Sequence, residues 1–207
     1  MEVGKSVSKA IDEACIGDLE SAMLHACNAL DGTAAKALPR IQSSNLRFTA
    51  LLRDNYLTLG VMGMPGINLV ETRFPVAVKR PKAPGGGVDI ADIIYGIHRC
   101  THGHGAGLPD GFGLHQDSKG PAERTTISIQ RGRIQLSDRM IFGLLAVAVF
   151  APENVGQVAT PGYNLTLGSE NTFIINEWWG RRAEFELIAS ALKLPFVKVD
   201  FGEWMTS

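Results

Sequence analysis

Apolar residues recur at helical spacing through the first third of the chain, and this pattern predicts two helices. Between Lys5 and about Lys36 the apolar positions fall three or four residues apart, which indicates one long helix. Gly17 weakens this helix but is not expected to divide it. Asn45 is a good N-cap for a second helix, and Gly60 to Gly66 is expected to form a turn.

A third helix is predicted to begin at Asp89, after three consecutive glycines that do not propagate regular structure cheaply. Its apolar face carries four isoleucines: Ile90, Ile93, Ile94 and Ile97. At about 100° per residue, three polar residues share the opposite face: Asp92, Tyr95 and Arg99. Glycines at 103, 105 and 107 are expected to end this helix. Three histidines straddle that end: His98, His102 and His104.

After residue 107 the spacing changes, and shorter elements are expected. In chain order we predict a loop from Leu108 to Glu123 and then a hairpin from Thr125 to Leu136 that turns at Arg131-Gly132. A buried helix follows, which is capped by Ser137-Asp138 and ends at Phe150. The last predicted elements are a second hairpin from Tyr163 to Ile175, a helix capped by Asn176, and a strand from Phe196 to Phe201. The fold class is therefore α+β: an antiparallel helical bundle core and a smaller C-terminal part. We expect 1–107 and 108–207 to form one continuous domain.

Composition and charge exclude several classes of function but add little about the fold. The chain has 207 residues, 45% of them hydrophobic, and a net charge of −1. The charge therefore does not predict a broad electrostatic footprint for duplex nucleic acid, and it leaves a local site open. Three cysteines do not make a disulfide framework, and the first residues lack the apolar core of a signal peptide. The most apolar window, Met140 to Ala151, is too short for a membrane span, which needs roughly 20 residues. We expect a cytoplasmic protein.

One short motif suggests a function. Arg99 and His104 are separated by four residues in the sequence RCTHGH, at the end of an amphipathic helix that follows two earlier helices. This arrangement resembles the HEPN superfamily, whose helical domains carry an Arg-x4–6-His motif late in the bundle. The segment LESAMLHACNALDGTAAK also looks like that family's first helix. The resemblance covers roughly Lys5 to Gly107. It departs from the family pattern at Cys100, where active members usually have a polar residue.

The resemblance implies a metal-independent endoribonuclease in which the ribose 2′-hydroxyl attacks the phosphate. In this chemistry His104 would move the proton, because histidine has an unperturbed pKa near neutrality. Arg99 would hold the phosphate with its planar fork of donors. The family usually dimerises around a composite groove, so a homodimer that binds RNA without any cofactor is expected.

Helix geometry makes His102 a rival for the catalytic role. On an unbroken helix Arg99 and His104 would point about 140° apart, and a kink near Gly103 would be needed to bring them together. His102, three residues from Arg99, needs no kink. We therefore carry Arg99, His104 and His102 as the candidate catalytic residues.

Three other interpretations stay open at this point. In a purely structural one, Arg99 pairs with Asp92 or with an acid of the first helix, such as Asp31. In a metal site, His98 and His102 lie one helical turn apart and a further ligand completes the set: His104, His115 or Asp117. In a third, a degenerate HEPN-like module binds a partner or regulates without catalysis, which the Cys100 departure favours.

Overall fold

The first apolar stretch forms two helices, because Gly17 and Asp18 make a tight turn inside it. The computed structural model describes residues 2–99, 108, 110–117 and 125–205. In it α1 (Val3–Ile16) ends at Gly17, which has a φ of 87°. The Asp18 carboxylate then accepts the Ser21 backbone N–H and caps α2 (Leu19–Ala37). The prediction of one long helix was wrong for this reason.

The second predicted helix is found as two helices, and both its beginning and its end differ from the prediction. Helix α3 (Ser44–Asp54) is capped by Ser43, whose hydroxyl accepts the Leu46 N–H at 3.4 Å, so Asn45 is not the cap. Helix α4 (Tyr56–Gly63) runs through residues predicted to form a turn. A loop then leads to α5 (Ile90–Ile93), which continues as a π-helix (Ile94–Arg99).

Packing explains why glycines are found inside α4. The predicted buried helix is confirmed as α6 (Arg139–Phe150), which contacts α1, α2 and α4. A methyl group placed on Gly143 would lie 3.1 Å from the Cα of Gly63, and one placed on Gly63 would lie 3.3 Å from the Cα of Met140. The two backbones therefore approach closely, and this close approach holds a glycine-rich segment in helical form.

A small three-stranded sheet precedes α6. The predicted first hairpin is confirmed as antiparallel β2 (Ser128–Gln130) and β3 (Arg133–Ser137). The segment from Leu108 to Glu123, predicted to be a loop, contains an additional strand, β1 (Phe112–His115), which pairs in parallel with β3. The strand order is β1-β3-β2, so β3 is central.

The remaining elements complete the C-terminal part. The second predicted hairpin is confirmed as β4 (Asn164–Leu167) and β5 (Asn171–Ile174), and a short 3-10 helix (Pro152–Asn154) precedes it. The last predicted helix is divided at Gly180 into α7 (Ile175–Trp178) and α8 (Arg182–Ala191), and a second 3-10 helix (Gly202–Met205) follows.

Two C-terminal predictions were wrong. Asn176 lies within α7 and is not its cap, because its side-chain amide bonds both backbone groups of Ala159, at 2.8 and 2.9 Å. The expected terminal strand from Phe196 to Phe201 reduces to one parallel bridge between Ile67 and Val197. Two residues further on, the Val199 backbone N–H donates to the Thr72 hydroxyl at 3.2 Å and not to a strand, so regular pairing does not extend along the segment.

The described residues share one hydrophobic core that draws on both halves of the chain. Its largest fully buried side chains include Phe48 from α3 and Phe150 from α6. The fold is α+β, as predicted, with most helices in the first half and the small sheets in the C-terminal part. Within the described residues, none of the helices combines the length and apolarity that crossing a membrane requires.

The contact of α1 with the C-terminal part gives a stability prediction. A methyl group on Gly4 would lie 2.0 Å from the carbonyl oxygen of Val158, a backbone atom that cannot rotate away. We expect Gly4→Ala to lower the free energy of unfolding by about 1–3 kcal/mol, despite the better helix propensity of alanine. Urea denaturation measures this change.

Gly113→Ala is the control, because its added methyl group would lie 3.9 Å from the Gln135 side chain, an ordinary contact. If both variants unfold at the wild-type urea concentration, the close contact between Gly4 and Val158 does not exist in solution.

Candidate functional site

The helix that carries Arg99 is fixed at its beginning by a buried ion cluster. Arg53 of α3 donates from Nε and Nη2 to the two oxygens of Asp89, at 2.7 and 3.0 Å. The same Nη2 lies 2.9 Å from Oδ1 of Asp92. Both carboxylates are buried, and Asp89 also accepts the Asp92 backbone N–H as the predicted N-cap of α5. One guanidinium therefore sets the position of this helix against α3.

The loop before α5 is tied to the same cluster. The backbone N–H groups of Lys82 and Ala83 donate to the Asp92 carboxylate at 2.9–3.0 Å. Asp92 was expected on a polar face opposite the isoleucines, yet only 2% of it is exposed. The loop covers it, and this contact depends on a chain segment that helical spacing alone does not place.

The cluster strongly perturbs its titratable groups. Burial alone would raise the pKa of Asp89, but hydrogen bonds from Arg53, the Asp92 backbone and Tyr56 outweigh it and lower that pKa. Burial and the adjacent Asp89 charge raise the pKa of the Tyr56 hydroxyl, which donates to Asp89 at 2.8 Å. Burial would lower the pKa of Arg53, but its bonds to Asp89 raise it. The cluster is therefore an ion pair at neutral pH.

A π-helix carries the chain from α5 to Arg99. Tyr95 on this segment packs its ring edge against Phe48 and places its hydroxyl 3.0 Å from that of Ser44. A methyl group on Gly96 would lie only 2.3 Å from a methyl carbon of Val78, so the segment is closely covered there. π-Helical turns are rare and occur often at functional sites. These contacts hold the wide turn against α3 and the preceding loop.

Arg99 forms an ion pair across the bundle with Asp31 of α2. Its Nη2 lies 3.2 Å from Oδ2 of Asp31, and the two side chains are 26% and 21% exposed. Among the described residues, Nε of Arg99 and Oδ1 of Asp31 have no hydrogen-bond partner although both atoms are buried. Asp31, and not Asp92, is therefore the acid that pairs with Arg99, as one of the structural alternatives expected.

The three candidate histidines differ in what can be said of them. His98 is fully buried beside Arg99 and belongs to the interior of the bundle. His102 and His104 lie outside the described residues, as does Cys100. The structure thus places the cation of the motif, while the choice between the two imidazoles stays a prediction.

The metal-site alternative finds no ligand set in the described part of the chain. No group of three or more His, Cys, Asp or Glu side chains is brought together there. Of the residues considered, His115 instead places Nε2 2.9 Å from the Ser128 hydroxyl, and Asp117 accepts the Thr126 N–H. His98 is separated from both in sequence and is buried.

Comparison with known proteins places the whole chain in one family. The model of the Rv1289 family matches residues 2–205. The chain belongs to the Rv1289 family. Over 203 residues it is 40% identical to the uncharacterised protein Rv1289 of Mycobacterium tuberculosis, and the matched region covers 98% of this chain and 95% of that protein. The uncharacterised protein Mb1320 of Mycobacterium bovis matches with the same identity and coverage. No solved structure matches the chain.

The Asp89 ion pair gives a prediction for pH. Its folded-state pKa lies below the unfolded value of about 3.9, so its stabilisation is complete above that value and is lost as the pH falls through the folded-state pKa. We expect Asp89→Asn to cost about 3 kcal/mol of unfolding free energy near neutral pH, since Arg53 loses a buried partner. The difference from wild type should stay constant between about pH 7 and pH 5, and should shrink only as the pH falls below about 4.

Urea denaturation across that range measures the effect. Asp54→Asn is the matched control, because Asp54 follows Arg53 directly but is exposed. A difference between Asp89→Asn and wild type that stays constant with pH would contradict the assignment of a lowered pKa to Asp89.

Proposed function

We propose that this chain is an RNA-binding protein or metal-independent endoribonuclease that works as a homodimer, with Arg99 in its site. In this proposal Arg99 contacts a backbone phosphate and His104 moves the proton, with His102 as the alternative base. The proposal rests on the HEPN-like spacing of Arg99 and His104 in a helical bundle, and on the position of Arg99 in the fold.

The observation that carries the proposal is an arginine that is held in place but still partly exposed. A functional cation must be oriented before the substrate arrives, because ordering a long side chain on binding costs free energy. Asp31 provides such an orientation through a contact at 3.2 Å. About a quarter of the Arg99 side chain stays exposed, enough to meet an incoming phosphate.

The Arg53 cluster fixes the helix that carries Arg99. It fixes the beginning of α5 through two buried carboxylates, so the helix that ends in Arg99 is attached firmly to α3. Preorganised electrostatic groups need such rigid support, because a displacement of about 1 Å can remove most of their effect. The ion cluster is therefore a structural support and does not itself touch RNA in this proposal.

A non-catalytic module is the second candidate, and the Asp31 pair favours it. A carboxylate at 3.2 Å partly neutralises the guanidinium and competes with a phosphate for it. Cys100 also departs from the residue usual in active members. In this alternative the same surface binds RNA or another partner weakly, and no bond is cleaved.

Cleavage of a labelled RNA in the presence of EDTA tests the first candidate. We expect products ending in a 2′,3′-cyclic phosphate, and a rate at least about 100-fold lower for Arg99→Ala, because a single donor to a developing charge contributes about that much. His104→Ala and His102→Ala should be assayed separately, and the variant with the larger loss identifies the base.

Lys9→Ala is the control, since it removes one exposed positive charge from α1 without changing the motif. Binding without cleavage, weakened in Arg99→Ala, would favour the non-catalytic module. If the wild-type protein neither binds nor cleaves RNA, both the nuclease and the RNA-binding form of the non-catalytic module are contradicted.

Light scattering tests the homodimer separately. The monomer has a mass of 22.3 kDa, and we expect about twice that mass at micromolar concentration. A monomer under these conditions would contradict the composite groove, and any RNA cleavage would then have to use one copy of the motif.

A further inference from the structure

A second polar site lies on the three-stranded sheet, outside the Arg99 region. Alternation gives this sheet one apolar face, with Ile134 and Leu136 of β3 buried, and one polar face. The register places His115 beside Ser137, and Ser128 beside Gln135, so all four belong to the polar face. The side chain of His115 extends across the central strand toward Ser128 on the far side.

His115 and Ser128 have the geometry of a base and a nucleophile. Nε2 of the imidazole lies 2.9 Å from Oγ of the serine, within hydrogen-bond distance. Ser128 is exposed, so a reagent can reach its hydroxyl from solvent. The two residues lie on different strands, and the contact therefore depends on the parallel pairing of β1 with β3.

A carboxylate completes the group. Asp117 follows β1 by two residues and accepts the Thr126 backbone N–H at 2.5 Å. Burial would raise the pKa of Asp117, but bonds from Thr126 and Ser137, with a smaller attraction from His115, lower it. Asp117 is thus a charged acid near His115, and it is held by its own hydrogen bonds.

The site lies where a parallel pair of strands ends. The carboxyl ends of β1 and β3 meet at one sheet edge, and this places His115 and Asp117 beside Ser137. In open sheets with parallel strands, binding sites commonly form outside the carboxyl ends. The backbone N–H of Asp117 donates to the Asp138 carboxylate at 2.9 Å, so the segment that carries the acid is anchored to the start of α6.

We propose that Ser128 and His115, with Asp117 beside them, form an acyl-transfer site that accepts small esters, independent of any action on RNA. The Ser128 oxygen attacks the ester carbonyl and its proton passes to Nε2 of His115. The bond to the alcohol then breaks, and the alcohol leaves with that proton. Water attacks the acyl-serine, the acid is released and the Ser128 hydroxyl is restored. Asp117 stabilises the imidazolium that forms in each step.

A simpler role for the same contact is a polar clamp that holds β1 to the hairpin. A clamp needs the hydrogen bond but no reactive oxygen, so nucleophilic reactivity separates the two roles. The full-length protein should therefore be treated with a fluorophosphonate, which reacts with an activated serine by forming an O–P bond and releasing fluoride. Intact mass and peptide mapping then identify the modified residue.

We expect one adduct per chain, located at Ser128, and its absence in Ser128→Ala. His115→Gln should lower the labelling rate by about 100-fold, the contribution typical of a general base. The wild-type protein should hydrolyse p-nitrophenyl acetate, and both variants should hydrolyse it more slowly. Ser169→Ala, which removes an exposed hydroxyl from the turn between β4 and β5, should be labelled and hydrolyse the ester like wild type.

Circular dichroism must show wild-type secondary structure in every variant. The variant Asp117→Asn gives an independent second test. This substitution preserves an oxygen for Thr126 and removes the charge, so labelling of Ser128 should slow while the fold is retained. The proposal is overturned by an adduct elsewhere, by no adduct, or by equal rates in wild type and His115→Gln. None of these outcomes bears on Arg99 or RNA.

Discussion

The contact of Arg53 with two buried carboxylates is the interaction on which the rest of the arrangement depends. It joins α3 to α5 and, through Asp92, also ties down the loop at Lys82 and Ala83. Removing three charged groups from water is unfavourable unless each is bonded. Here the guanidinium, the Tyr56 hydroxyl and backbone N–H groups supply those bonds. Loss of any one member would leave the others buried and incompletely paired, so the cluster acts as a unit.

Local patterns were sufficient where an element is decided by its own residues. The apolar helix α6 and both hairpins have strong periodic or turn signals, and all three were predicted correctly. The break at Gly17 was missed because helical spacing continues across it, while a left-handed glycine followed by a capping aspartate outweighs that spacing. Strand β1 was missed because its four residues and their surroundings are rich in glycine, which is uncommon in strands. Such a segment becomes a strand only when β3 lies beside it.

The candidate site shows the same division between local and distant information. Arg99 could be recognised from spacing, and Asp31 could be named as a partner, but nothing in the sequence ranked Asp31 above Asp92. The outcome was decided by the Arg53 cluster, which occupies Asp92 and leaves Arg99 to α2. His115 and Ser128 are 13 residues apart, and their contact was not foreseen, because it requires the register of two different strand pairs.

The π-helix between α5 and Arg99 has a consequence for how this family can vary. A π-turn contains more residues than an α-turn, so it can arise from an α-helix by a single insertion. Removing one residue between Ile94 and Arg99 would restore regular helix and rotate everything downstream by about 100°. The arginine would then face away from α2. A relative whose chain is one residue shorter in this segment should therefore carry its cation, and its partner acid, on a different side of the bundle.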